Sequence, residues 1–300
     1  MMKYALIALA LTAAAPAPAP SPNEIVAAAP ANDWVAIAPA DVLVMTLGPD
    51  AKGKARRVVI QLMPPPFSQG WIGNIRKLAA AHWWDGTSVN RVQDNYVAQW
   101  GDVTEKKALP VGLVTVLESA YVAVVNQSLA HRAARSITQR DAYAVNTDVF
   151  RGWPIALGRD DTQWPIHCYG MVGVGRNLSP DTGSGAELYT VIGHAPRHLD
   201  RNIALVGRVI EGIENLSSLP RGTEALGFYK TVEERVPIIS IRLATELPAA
   251  EQPRFQYLST ESASFATYAD ARANRRDPFF IKPAGGADIC NIPVPVRRAP

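Results

Sequence analysis

The first residue in this 300-residue chain that could do chemistry is an arginine in an otherwise apolar run. In VNRVQDNYVAQWGD, residues 89 to 102, Arg91 stands close between Val89 and Val92, and Val97 and Ala98 continue a pattern of buried strand. Arginine is almost never fully buried without a partner. The guanidinium therefore either snorkels to water or lines the wall of a pocket. At a pocket wall it is a permanent planar cation with several N–H donors. Such a group suits a reaction in which electron density develops on a substrate atom.

The other chemical candidates are weaker. DTGS at 181 to 184 has the composition of an aspartic-protease loop, in which two carboxylates share a proton. It follows RNLSP rather than an apolar strand and has no second copy, so a surface turn accounts for it. His194 and His198 are four apart, but Pro196 between them breaks any helix that would bring them to one metal. No third ligand follows at suitable spacing, and no metal or cofactor is expected. GMVGVGRN holds Gly170, Gly173 and Gly175 but lacks the third glycine position and the helix of a dinucleotide loop. Close approach of a backbone or ligand explains those glycines better. Ser184 lies in Gly-Ser-Gly, not in a nucleophile elbow. Cys168 and Cys290 could pair or stay apart, and without Cys-x-x-Cys they form neither a redox motif nor a zinc site.

The elements that would position Arg91 are mostly strands. ARRVVIQLM (55 to 63) puts Val58, Ile60 and Leu62 on one face by the period of two. WIGNIRKLAAAHWW (71 to 84) then sets Ile72, Ile75, Leu78 and Ala79 on a helical stripe. The Arg91 run reads as strand, turn at Asp94-Asn95, and strand. From Ile166 onward HCYGMVGVG, AELYTVIG and NIALVGRVI are strands; EGIENLSSLP is a short helix with Ile213, Leu216 and Leu219 inward; VPIISIRLA is a last strand. Residues 103 to 163 are harder. LESAYVAVVNQSLAHRAARSI fits an alanine-rich helix or a strand followed by a helix, with helix preferred. Many short strands with one early and one late helix suit a closed antiparallel barrel whose ends the helices plug.

VNRVQDNYVAQWGD resembles the cyclophilin signature, in which Phe-His-Arg-Val, a turn and an apolar pair lead into Gln-Gly-Gly-Asp. In that match Arg91 takes the catalytic arginine position, Tyr96 and Val97 the apolar pair, Gln99 the glutamine and Asp102 the closing aspartate. Downstream, GMVGVG is similar to the family's Met-Ala-Asn-Ala-Gly strand. GSGAELYTVIGHAPRHLDRNIALVGRVIEGIENL is similar to its segment running from Gly-Ser-Gln-Phe-Phe to Glu-Gly. The resemblance covers residues 33 to 245, with 103 to 163 as an insertion. It implies a mainly β protein, α+β by content: an eight-stranded antiparallel closed barrel capped by two helices, with a C-terminal extension.

The resemblance also implies peptidyl-prolyl cis-trans isomerase activity, with Arg91 catalytic and Xaa-Pro segments of unfolded or extended polypeptides as partners. The implied substrate groove uses Tyr96, Val97, Gln99, Tyr189 and Leu199, with Val172 and Gly173 where backbone would pair with the peptide. Several positions depart from the family. Val97 stands for a longer methionine, Tyr189 for a phenylalanine, Val89-Asn90 for Phe-His, and Ile203 for a histidine. Glu187 stands where a glutamine is usual, and an ion pair with Arg91 is expected of it. His198 replaces the tryptophan associated with cyclosporin, so weak drug sensitivity is expected. These departures support an alternative, a weak or inactive cyclophilin-like module that binds extended or proline-containing segments as a chaperone or assembly partner.

Composition and chain ends set the context. With 48% hydrophobic residues, 19% charged and a net charge of +3 spread without a polybasic block, the composition is that of a globular protein, and nucleic-acid binding is not expected. MMKYALIALALTAAAPAPAPSPNE has the order of a secretory signal: Lys3, an apolar run from Tyr4 to Ala15, then small residues. That run is too short to span a bilayer, and no transmembrane span is expected. The expected organisation is signal peptide 1–19, Ala/Pro linker 20–32, barrel domain 33–245 and polar C-terminal extension 246–300. The location expected is periplasmic, and the state monomeric.

Overall fold

A computed structural model describes residues 18–124 and 141–300, so the expected signal peptide falls almost wholly outside the described residues. The elements run, in chain order, α1 (Pro22–Ala28), β1 (Trp34–Ala36), β2 (Val42–Leu47), β3 (Arg56–Leu62), α2 (Gln69–Ala80), β4 (Ser88–Val92) and β5 (Val97–Gly101). Then follow β6 (Ala123–Val124), β7 (Asn146–Phe150), β8 (Trp153–Leu157), β9 (Thr162–Pro165), β10 (Met171–Val174) and β11 (Leu188–Val191). The last are β12 (Leu205–Glu211), α3 (Glu214–Ser217), β13 (Val236–Leu243), β14 (Phe255–Leu258), α4 (Ala263–Ala273) and β15 (Val296–Arg298).

Eight strands close an antiparallel barrel in the order β10-β11-β5-β4-β13-β2-β3-β12, with β12 returning to β10. Closure leaves no free edge. The period of two decides what fills it. Leu43, Met45 and Leu47 of β2 and Val58, Ile60 and Leu62 of β3 point into the core. On α2, Ile72, Ile75, Leu78 and Ala79 are almost wholly buried, as the stripe requires, and the helix packs on β12 and β13. Each such Ile or Leu contributes about 1.5–3 kcal/mol by leaving water. Leu216 of α3 is fully buried near β3.

The strands β2 and β3 read as almost continuously apolar because both their faces are covered. Val42, Val44 and Val59 point outward into a second cluster with Ile37, Ala244 and Phe255. A three-stranded sheet, β1-β14-β15, supplies the cover. The polar extension expected over 246–300 is therefore a folded layer. Its β14 sits between β1 and β15, its α4 packs against α1, and Cys290 is disulfide-bonded to Cys168.

Two further expectations are corrected. The linker expected over 20–32 contains helix α1. Ser21 caps it and Glu24 returns a bond to the Ser21 N–H at 2.7 Å, with Pro22 opening the first turn. In the insertion, the helix preferred for 117–137 is not what the described part forms. Glu118–Tyr121 is a 3-10 turn leading into β6, and residues 125–140 lie outside the described residues. The strands of this segment form the sheet β6-β9-β8-β7. It shares the main core through Trp153 and Trp164, and Tyr121 stacks on Trp71 of α2 at 5.4 Å.

Candidate active site

A bulge explains how an arginine fits between two buried valines. Val89 lies opposite Trp100, and Arg91 lies opposite Gln99, so Asn90 is an extra residue on β4. Without it, the period of two would send Val89 and Arg91 to one face. With it, Val89 and Val92 are both wholly buried in the barrel while Arg91, half-buried, emerges on the outer wall. The guanidinium is held on three sides. Nε donates to Leu226 O at 2.7 Å, Nη1 to Gln99 Oε1 at 3.1 Å, and Nη2 to Gln93 Oε1. Of its five N–H groups, one on Nη1 and one on Nη2 remain for a ligand. The rings of Tyr96 and Phe228 lie 5.7 and 5.3 Å from its carbon. Burial lowers its pKa and Tyr96 acts in the opposite direction.

Cross-strand register lines up the groove. Arg91 pairs with Gln99, Gln99 with Tyr189, and Tyr189 with Gly173, so four strands place one row of residues along the outer wall. Beside that row Val97, Tyr189 and Val191 form an apolar cluster closed by Tyr96 and Ile203. His198 is exposed and stacks on Tyr96 at 6.3 Å, and Leu199 is half-buried beside it in a 3-10 turn, Arg197–Leu199. Val172 packs into the barrel core, so only its backbone faces the row. Gly173 has no room for a side chain: a Cβ there would come within 2.3 Å of the Tyr189 hydroxyl.

Glu187 does not ion-pair with Arg91, which corrects the expectation. Register puts Gln99, not Glu187, across from the arginine, and Glu187 lies one residue before β11, against Gly101 and Gly175. Burial pushes its pKa up to about 7, although bonds from the Asp102 N–H and the Asn90 and Gln99 side chains favour its anion.

The sequence matches the family profile described as cyclophilin type peptidyl-prolyl cis-trans isomerase/CLD over residues 59–243, more than half of the chain. The chain belongs to this family. Among solved structures, cyclophilin AquaCyp293 from Hirschia baltica superposes with a TM-score of 0.66 at 21% identity, covering 88% of this chain and 93% of that one. A cyclophilin type peptidyl-prolyl cis-trans isomerase from Cryptosporidium parvum, crystallised in the presence of the dipeptide Ala-Pro, aligns at 12% identity. It covers 67% of this chain and 97% of its own, with a TM-score of 0.39. No curated protein matches the chain by sequence. The cyclophilin therefore carries an isomerase domain on the family's barrel.

Several residues at this cyclophilin's groove escaped the sequence reading. Gln93, Leu226 and Phe228 reach Arg91 from a turn and a loop, and no periodicity marks them. Behind the groove floor lies a buried chain of polar groups. The Tyr189 hydroxyl is 2.8 Å from His167 Nε2, and His167 Nδ1 is 2.8 Å from Asp200 Oδ1. Asp200 accepts from Arg197 Nε at 2.6 Å, and Arg197 forks onto Asp141 at 2.9 and 3.1 Å. With Nδ1–H donating to the carboxylate, Nε2 is left to accept the tyrosine proton. Burial lowers the His167 pKa against the pull of Asp200, which favours the neutral ring. On the opposite wall of the barrel a cavity of about 600 Å³ is lined by Val44, Arg57, Leu247, Arg254 and Arg298 and takes no part in this site.

Proposed function

We propose that this cyclophilin isomerises Xaa-Pro bonds in extended segments of exported polypeptides, with Arg91 stabilising the twisted bond. Rotation about a peptide bond costs about 18–20 kcal/mol because it forfeits amide resonance. In the twisted state the proline nitrogen regains its lone pair and accepts a hydrogen bond, which neither planar ground state does. A donor aimed at that nitrogen is therefore selective for the transition state. The free N–H groups on Nη1 and Nη2 of Arg91 are suitable donors.

One charged hydrogen bond is worth about 1.5–3 kcal/mol, whereas a millionfold acceleration needs about 8 kcal/mol. The remainder falls to the apolar cluster, which would take the proline ring, and to contacts that align the peptide. The observation that carries the reading is the row Arg91–Gln99–Tyr189–Gly173 beside Val97, Val191 and Ile203. Export draws support from the N-terminal pattern and from the Cys168–Cys290 disulfide, which persists in oxidising compartments.

The test is NMR exchange on an Xaa-Pro tetrapeptide with wild type, Arg91→Ala and Arg91→Lys. Exchange accelerated by wild type and lost in Arg91→Ala supports catalysis. One observation favours the second reading, a peptide-binding module: three N–H groups of Arg91 are already engaged, one of them by the loop that carries Leu226 and Phe228. Peptide binding with no change in exchange rate would establish that module instead.

A further inference from the structure

We propose that Glu187 is a positioning residue: its carboxylate fixes which way round the Gln99 amide sits, and through that amide it aims the Arg91 guanidinium. This rests on the reading that Arg91 meets the prolyl nitrogen. A glutamine amide has an acceptor end and a donor end, while a guanidinium only donates. Gln99 therefore holds Arg91 only when Oε1 faces it, as it does at 3.1 Å. Turned over, the amide would present N–H groups to a cation.

What selects the orientation lies at the other end of Gln99. A Cβ placed on Gly175 would lie 2.9 Å from Glu187 Cβ and 3.6 Å from Gln99 Nε2, so the base of the glutamate side chain and the amide nitrogen flank the same glycine. The Gln99 and Asn90 side chains and the Asp102 N–H are the polar groups that favour the Glu187 anion. Glycines clear the slot on both sides. A Cβ on Gly101 would lie 1.9 Å from Glu187 Oε1. An ionised carboxylate only accepts, so it takes Nε2 and rejects Oε1. Once protonated it also donates, and an O–H offered to Oε1 lets the amide turn away from Arg91.

The ordering should therefore follow the ionisation of Glu187, whose burial brings its pKa to about 7. Asp102, just after β5, is the charged group that acts on it, and its negative charge also raises the Glu187 pKa. Burial raises the Asp102 pKa, but bonds from the Lys107, Thr104 and Lys106 N–H groups bring it below the usual value, so it stays ionised across the neutral range. His198, exposed and stacked on Tyr96, lies on the groove wall and serves as the control position.

The experiment measures kcat/KM for an Xaa-Pro tetrapeptide from pH 5.5 to 8.5 with the full chain, E187Q and H198Q. It also follows the Gln99 side-chain amide by 15N NMR over the same range. Wild type should lose roughly five-fold as pH falls through about 7, carried by kcat, the scale of one hydrogen bond. E187Q should be flat and hold the reduced, low-pH level of wild type at every pH, because its amide, like the protonated acid, donates as well as accepts and does not titrate. H198Q should still show the fall, and the Gln99 amide signal should titrate in wild type and not in E187Q. A flat wild-type profile, or a fall that survives in E187Q, overturns the proposal, as does a Gln99 amide signal that does not move. Inactivity at every pH would count against the isomerase reading, while the Gln99 titration would still judge Glu187.

Discussion

Arg91 leaves the barrel because Asn90 is one residue too many on β4, and that detail sets how substitutions there should behave. Arg91→Ala should lower kcat/KM roughly 10- to 150-fold, the equivalent of one charged hydrogen bond, measured by peptide exchange. At the groove floor, Tyr189→Phe keeps the ring and strips His167 Nε2 of its partner. The cost of that buried orphan is about 1–3 kcal/mol, visible as a lower urea midpoint with little change in peptide affinity. Glu187 predicts a pH effect on stability of definite sign. Its pKa is raised on folding, from about 4.3 in model peptides to about 7, so the folded state binds the extra proton. Its contribution is fully present below about pH 4.3 and is lost as pH rises through 7. E187Q should therefore gain stability over wild type at pH 8 and lose that advantage at pH 5, read from paired denaturation curves. His198 in place of a tryptophan predicts weak inhibition by cyclosporin, checked with an inhibition curve.

Among the elements, the sequence made β3, α2 and the β4–β5 pair readable because each has a clean period or a recognisable motif. The bulge at Asn90 had no signal, since an extra residue in a strand is visible only against its partner's register. Glu187 was misassigned for the same reason: its neighbour across the sheet follows from pairing, not from spacing. The insertion failed differently. Strands β8 and β9 contain Pro154 and Pro165, and proline within an apolar run argues against a central strand. Helix α1 did carry a signal, the Ser21-x-x-Glu24 capping box, but the surrounding Ala-Pro composition read as a tether. The insertion's share in the core is testable. Tyr121→Ala removes the ring stacked on Trp71 and should destabilise the whole protein by about 3 kcal/mol, measured as a lower urea midpoint.

At the scale of the molecule, the extension is bound to the barrel by a covalent link as well as by packing. Cys168 and Cys290 are separated by 122 positions, and chain-entropy treatment of a loop of that order gives about 4–5 kcal/mol. Cys290→Ala, or reduction of the wild type, should lower the denaturation midpoint accordingly. Helix content and the Arg91 row should survive it, since neither uses the sulfur atoms. The covered outer faces of β2 and β3 have a temporal consequence. Val42, Val44 and Val59 are made early, yet the layer that shields them includes Phe255 and ends with β15 at Val296–Arg298. Polypeptides are synthesised from the N-terminus, so most of the chain must emerge before that oily wall is sheltered. A nascent barrel of this design waits, sticky, for its own last residues.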